Sequence, residues 1–79
     1  MKLPVWLFMD GPLKGLSGRY QGKCVEARVR DYTGPKAYCC LLYEPDDYHG
    51  SGNTLTILAR LLPHHRVLWK RIERQAEHG

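Results

Sequence analysis

The sequence has few of the residues from which catalytic, metal or disulfide sites are built. Its three cysteines are an odd number, and neither a Cys-x-x-Cys nor a His-x-x-x-His spacing is present. Cys39 and Cys40 are adjacent in a predicted strand, so we expect reduced, partly buried thiols there and at Cys24. The spacing predicts no enzyme, no metal and no cofactor. A zinc site joining the cysteines to His49, His64 or His65 is one alternative, and a catalytic thiol beside His64 or His65 is another.

Long hydrophobic runs are also missing from the N-terminal region. The apolar run at residues 5–9 lies between Pro4 and Asp10 and is too short for a signal peptide or a membrane span. We therefore expect a cytoplasmic protein with no membrane partner. A hydrophobic share of 43% and a charged share of 25% are typical of a folded domain. The length predicts a single domain over residues 1–79, with residues 74–79 as a frayed tail.

Charge is unevenly distributed along the chain, whose formal net charge is +4. Residues 1–36 contain seven basic and three acidic residues, and residues 60–79 contain five basic and two acidic ones. Between them, Glu44, Asp46 and Asp47 are accompanied by no lysine or arginine. Basic surfaces attract polyanions, so nucleic acid is a natural partner, with a merely solvated surface as the alternative. The acidic middle counts against a surface that is basic on all sides.

Glycine is abundant in residues 11–20 (GPLKGLSGRY), which predicts a tightly folded connection between two strands. Residues 4–10 are apolar on both faces of a predicted strand, which should therefore lie inside. Residues 19–30 alternate, but their inward parity switches near residues 22–25, which predicts a bulge or bend within that strand. A turn is expected at residues 31–35, and residues 37–44 form the best strand of the chain, predicted to be central.

The second half of the chain is less clearly patterned. Residues 45–53 predict a polar loop, the most exposed part of the protein. Residues 54–58 alternate like a strand, although helical spacing also fits, with Asn53 as its cap and Pro63 as its end. We favour a strand that leads into a short helical turn. Residues 66–72 fit either a closing strand or the start of a terminal helix, with Leu68 and Ile72 inward.

Four or five short strands joined by turns favour a mainly β fold. In so small a chain, a curled sheet or barrel of these strands lets one core serve both halves, and a short C-terminal helix could complete it. Apolar residues outnumber what such a barrel can bury, which makes a homodimer an option. The residues that need cover are Trp6, Leu61, Leu62, Val67 and Trp69.

Residues 5–20 (VWLFMDGPLKGLSGRY) resemble the KOW motif of ribosomal proteins and bacterial transcription elongation factors. In that family, a strand leads into a Gly-Pro-hydrophobic-x-Gly-x-x-Gly turn, and a second strand follows. The resemblance covers the N-terminal quarter and implies a small Src-homology-like barrel that contacts RNA, ribosomal proteins or RNA polymerase. It implies Gly11, Gly15 and Gly18 as motif glycines, with Lys14 and Arg19 near the contact surface. The Gly-Pro-Leu-x-Gly turn also resembles one in short uncharacterised phage and actinobacterial proteins.

We expect a small non-enzymatic module that binds RNA, or a ribonucleoprotein or transcription complex, through a basic surface. Arg28 and Arg30 share strand parity and would lie on one solvent face. Tyr20 or Tyr32 would offer a stacking face for a base. The predicted nucleic-acid-binding residues are Lys14, Arg19, Tyr20, Lys23, Arg28 and Arg30.

A protein-binding role is the alternative. A short phage or mobile-element protein could act as an inhibitor or adaptor by covering the surface of a host protein. The acidic, aromatic loop would then supply the contacts, because tyrosines on a loop offer much contact area at small entropic cost. Its predicted anchors are Tyr43, Tyr48 and His49.

Overall fold

The structure is a computed structural model that describes residues 2–31 and 34–78. Within those residues the chain forms five strands, a short 3₁₀ helix and one α-helix. In chain order they are β1 (Val5–Phe8), the 3₁₀ helix (Gly11–Leu13), β2 (Ser17–Arg19), β3 (Val25–Arg30), β4 (Tyr38–Ser51), β5 (Thr54–Leu61) and α1 (Pro63–His78).

All five strands join one sheet in the order β2-β1-β5-β4-β3. The β1–β5 pair is parallel, and the other neighbours are antiparallel. The sheet curls into a half-barrel that is followed by the C-terminal helix α1, which confirms the predicted mainly β, curled fold. None of the helices in the described ranges is long and apolar enough to cross a lipid bilayer.

The glycine-rich connection turns the chain back on itself, as predicted. Phe8 donates a backbone hydrogen bond to Leu16 at 3.1 Å and accepts one from Gly15 at 2.9 Å, which closes the ribbon between β1 and β2. Gly11 has a φ of +73°. A Cβ at that position would lie 2.5 Å from the Tyr43 hydroxyl, so both the backbone conformation and the space require glycine. The turn is thereby fixed against β4.

The core side chains lie on one face of the sheet and occupy alternate positions along β1, β3, β4 and β5. Its fully buried large side chains are Trp6, Phe8, Leu41, Tyr43 and Leu61. The apolar side of α1 covers this face, because Ile72 is buried and Leu68 and Trp69 pack against the core. Trp6 and Leu61 are therefore buried within the single chain and need no second subunit to cover them, whereas Val67 remains 62% exposed.

Residues 19–30 do not form one bulged strand, contrary to the prediction. β2 ends at Arg19 and β3 begins at Val25, and these two strands are the opposite edges of the sheet. The switch in inward parity marks the interruption between the two strands, where Gly22 has a φ of +116°. Residues 20–24 therefore connect the two edges. The predicted turn at 31–35 includes residues 32–33, which lie outside the described residues.

Residues 45–53 are not a loop, which corrects a second prediction. β4 continues to Ser51 and pairs with β5, and the hairpin turns at Gly52 and Asn53. The register shifts between Pro45 and Asp47, so that the proline lies at a bulge, one of the few places where a sheet tolerates it. Backbone pairing with β5 outweighs the turn-forming residues of this segment. The second half of β4 remains largely exposed, as expected.

The chain after the hairpin also differs from its prediction. β5 runs as a strand to Leu61 without a helical turn. Pro63 begins α1 instead of ending a helix, which suits a residue that has no N–H to donate. The helix takes up residues 66–72 and continues to His78, so residues 74–78 are helical where a frayed tail was expected.

Candidate functional site

The six predicted nucleic-acid-binding residues do not form one continuous strand surface. Lys14 follows the 3₁₀ helix, while Arg19, Tyr20 and Lys23 lie at the end of β2 and in the connection after it. Arg28 and Arg30 lie on β3, at the opposite edge of the sheet. The predicted set therefore divides into separate surfaces.

The residues near β2 are partly engaged within the protein. Arg19 Nη1 donates a hydrogen bond to the Leu3 carbonyl oxygen at 2.7 Å. The Tyr20 ring packs edge-on against the Phe8 ring, with 5.8 Å between centroids, and Tyr20 also lies against Gly18. Lys23 is exposed. Tyr32, the other predicted stacking residue, lies outside the described residues.

The clearest exposed constellation is on the β3–β4 ladder. Arg30 is directly opposite Tyr38, and Arg28 is opposite Cys40. The Arg28 guanidinium carbon lies 4.6 Å from the centroid of the Tyr38 ring, a cation–π arrangement. Tyr38 is 55% exposed, and both arginines are exposed as their parity predicted. We call Arg28, Arg30 and Tyr38 the β3–β4 face.

Sequence reasoning missed Tyr38 as a member of this site. The even parity of the predicted strand at residues 37–44 would place Tyr38 and Cys40 on one face, but it does not say which strand lies beside them. The neighbouring residue depends on the register between β3 and β4. Ladder pairing alone brings the tyrosine ring beneath Arg28.

The pKa values of the two thiols near this face, Cys39 and Cys40, are raised. The side-chain hydrogen bond with Glu26 raises the pKa of Cys40, and the Glu26 charge raises it further against an opposing effect of Arg28. Burial, followed by the charge of Asp31, raises the pKa of Cys39. Cys24 and Cys40 are exposed rather than partly buried, which corrects that expectation, and all three cysteines are free. In the described ranges, no group of three or more His, Cys, Asp or Glu residues could hold a metal ion.

Tyr43 cannot serve as an anchor for a partner protein, because its side chain is fully buried. Its hydroxyl donates to the Asp10 carbonyl oxygen at 2.6 Å and accepts from the Leu13 N–H at 3.0 Å. Burial raises its pKa. Tyr48 and His49 are exposed on the β4–β5 hairpin, where His49 Nε2 lies 3.3 Å from Asp47 Oδ2. Tyr43 therefore has a structural role, and two of the three predicted anchors remain at the surface.

A groove of about 330 Å³ separates the glycine turn from α1. Lys14 lies on one side of it, and Arg66, Trp69, Lys70 and Glu73 lie on the helix side. Sequence reasoning did not bring these residues together, because their contact depends on how α1 packs against the 3₁₀ helix. We call this cavity the Lys14 groove.

Comparisons with protein-family models, with curated proteins and with solved structures found no match to this chain. The resemblance to the KOW motif therefore stays a prediction.

Proposed function

We propose that this protein is a non-enzymatic module that binds single-stranded RNA, alone or within a ribonucleoprotein or transcription complex. The observation that carries the proposal is the exposed stack of Arg28 on Tyr38, with Arg30 opposite Tyr38 on the same ladder. Unpaired bases stack on aromatic rings and on guanidinium planes, and arginines contact the phosphates between them. The β3–β4 face offers all of these groups.

The shape of this face favours a single strand over a duplex. Its members lie along the ladder of an edge strand, so that a flexible backbone can follow the sheet while a base stacks on Tyr38. Reading a DNA duplex in the major groove calls for an inserted helix or a two-stranded β-ribbon, whereas β3 and β4 are part of a five-stranded sheet. Stacking is tolerant of sequence, so we expect modest base preference.

The distribution of charge along β4 favours binding of a polyanion at one end of the strand. Tyr38 begins the strand, while Glu44, Asp46 and Asp47 lie further along it. At about 3.3 Å per residue, Tyr38 and Asp47 are separated by at most about 30 Å. A polyanion would be attracted to the arginines beside the start of β4 and repelled by the three acidic residues further along the strand.

Fluorescence anisotropy with a labelled mixed-sequence RNA oligomer, at low and moderate salt, tests the proposal. We expect affinity to fall steeply with salt, and Tyr38→Ala to weaken binding about tenfold because one stacking contact is lost. Arg28→Gln should weaken it about fivefold. Arg74→Gln is the matched control: it removes the same charge from the exposed side of α1 and should change affinity less than twofold. The absence of low-salt binding, or an equal loss in Arg74→Gln, would contradict the proposal.

A protein-binding adaptor or inhibitor is the second candidate, favoured by the tip of the β4–β5 hairpin. Tyr48 is 59% exposed and Leu55 is 42% exposed, and they are diagonal neighbours on the ladder, since Tyr48 pairs with Ile57 and Gly50 with Leu55. Such a pair could insert into a pocket of a host protein. Tyr48→Ser should abolish capture of that protein from a cell extract and leave RNA affinity unchanged. Failure of the RNA titration together with Tyr48-dependent capture would favour this candidate.

A further inference from the structure

We propose that the Lys14 groove is a second binding site, for a ribonucleoside 5′-monophosphate group. The group could belong to a free nucleotide or to the 5′ end of an RNA strand. The groove is lined by the glycine turn, α1 and Leu61 of β5 and by none of the three residues of the β3–β4 face, although Arg30 lines the cavity next to it. Three features of the groove match the three parts of such a ligand.

Two lysines supply the charge for a phosphate. Lys14 and Lys70 line the groove from opposite sides, and neither has an ion-pair partner in the part of the chain that the structure describes. The nearby carboxylate of Asp10 is already engaged. Its Oδ1 accepts the Leu61 N–H at 2.8 Å, and its Oδ2 lies 3.5 Å from Arg66 Nε. Two ammonium groups are therefore available to an anion.

An indole lies beside these cations. Trp69 is half-buried and lines both the Lys14 groove and a neighbouring cavity of about 390 Å³. Arg66, Trp69, Lys70 and Glu73 follow the i, i+3, i+4, i+7 spacing of one helix face. The stacking group and the cation thus come from adjacent positions on the same helix. A base seated on the indole would bring its phosphate towards Lys70 and Lys14.

A carboxylate completes the groove. Glu73 lines it and forms no ion pair with the other described residues. A carboxylate repels phosphate but accepts hydrogen bonds from ribose hydroxyls, as acidic residues do in dinucleotide sites. The combination favours a ligand with an anionic end and a hydroxyl-bearing sugar over a bare anion. The volume of about 330 Å³ is at the low end for ligand pockets, which suits one nucleotide.

Titration of the full chain with AMP, dAMP and inorganic phosphate, followed by tryptophan fluorescence and calorimetry, tests this site. We expect AMP to quench Trp69, to bind at least fivefold more tightly than dAMP, and to bind at least tenfold more tightly than phosphate. In Trp69→Phe the quenching should disappear, because the remaining Trp6 is fully buried. Equal affinity for AMP and phosphate, or no binding of AMP at millimolar concentration, would overturn the proposal.

Matched variants separate the groove from general charge and from the RNA surface. The double variant Lys14→Gln with Lys70→Gln should weaken AMP binding at least tenfold, while Lys36→Gln, an exposed lysine in a turn, should change it less than twofold. Glu73→Gln should reduce the preference for AMP over dAMP. Arg28→Gln should leave AMP binding intact, whatever its effect on RNA. An equal loss in Lys36→Gln or Arg28→Gln would contradict a dedicated site.

Competition identifies the source of the nucleotide. If the groove takes RNA ends, a 5′-phosphorylated oligomer should displace AMP at lower concentration than the same oligomer with a 5′ hydroxyl. If it takes free nucleotides, the two oligomers should compete equally weakly. Either result supports the site and assigns its source, whereas tighter competition by the 5′-hydroxyl oligomer would contradict it.

Discussion

The Tyr43 hydroxyl donates a hydrogen bond of 2.6 Å to the carbonyl oxygen of Asp10, a residue 33 positions away in the chain. The Tyr43 hydroxyl oxygen in turn accepts a hydrogen bond from the Leu13 N–H at 3.0 Å. One buried side chain of β4 therefore satisfies a backbone acceptor and a backbone donor in the glycine-rich connection. The position of that connection, and with it one wall of the Lys14 groove, therefore depends on β4.

Removing this hydroxyl should destabilise the protein without changing the shape of its core. In Tyr43→Phe, the ring remains while the Leu13 N–H and the Asp10 carbonyl lose their partner. We expect a loss of about 2 kcal/mol in the free energy of unfolding, measured by urea denaturation, because unpaired polar groups near the core are costly. Tyr48→Phe is the control: its exposed hydroxyl has no hydrogen bond to another described residue, and its stability should be unchanged. Equal stability of the wild type and Tyr43→Phe would contradict the assigned role.

The same residue predicts a dependence on alkaline pH. Because burial raises the pKa of Tyr43, the folded state holds this proton more tightly than the unfolded chain does. Its contribution is fully present below the ordinary tyrosine pKa of about 10 and is lost as the pH rises through the folded-state value. Unfolding of the wild type between pH 8 and 11 should therefore show a steeper loss of stability than unfolding of Tyr43→Phe. Parallel curves would count against this linkage.

Two glycines of the same connection provide a matched test of steric fit. Gly11→Ala should cost about 3 kcal/mol, since its φ is +73° and the new Cβ would overlap the Tyr43 hydroxyl and Leu61. Gly15→Ala meets nothing within 4 Å at a φ of +83°, so its cost should be only about 1 kcal/mol, from backbone conformation alone. Thermal and urea unfolding would measure the difference. Similar costs for the two variants would contradict the close approach of Gly11 to β4.

A histidine joins α1 to the sheet. His65 Nδ1 accepts the Leu42 N–H at 2.8 Å. His65→Ala should lower the free energy of unfolding by about 1 kcal/mol and speed hydrogen exchange at the Leu42 amide, because that donor loses its partner. His64→Ala, at the exposed neighbouring position, should leave that amide unaffected. Unchanged exchange at Leu42 in His65→Ala would show that this bond does not hold the helix.

The periodic and glycine-rich parts of the fold were predictable. The apolar pattern of β1 predicted a strand inside the sheet, and β1 lies between β2 and β5, while the glycine turn follows from positive-φ positions. The β4–β5 hairpin was not predictable, since Pro45, Asp46 and Asp47 are typical turn residues. They join the strand only because β5 supplies hydrogen-bond partners and a bulge accommodates the proline. Local composition cannot reveal a partner that follows later in the chain.

The candidate sites show the same division. Strand parity correctly placed Arg28 and Arg30 on one solvent face, which requires only alternation within β3. Assigning Tyr38 to the site required the cross-strand register, and assigning the helix residues to the Lys14 groove required the packing of α1. Tyr43 was misassigned to the surface because its sequence neighbours are acidic. Its inward parity with Leu41 was the signal that could have placed it in the core.

A half-barrel is an open sheet with two edge strands, whose unpaired backbone groups could pair with further chains and start fibrils. One edge strand, β2, has only three residues and offers few backbone groups for pairing. The other, β3, carries Glu26, Arg28 and Arg30 on its exposed face. Charged side chains on an edge strand disfavour edge-to-edge pairing, so we expect the arginines proposed to contact RNA to oppose aggregation as well. Selection against self-association would preserve these arginines on the edge strand even without nucleic acid binding. Neutralising both of them should therefore lower the solubility of the protein as well as its affinity for RNA.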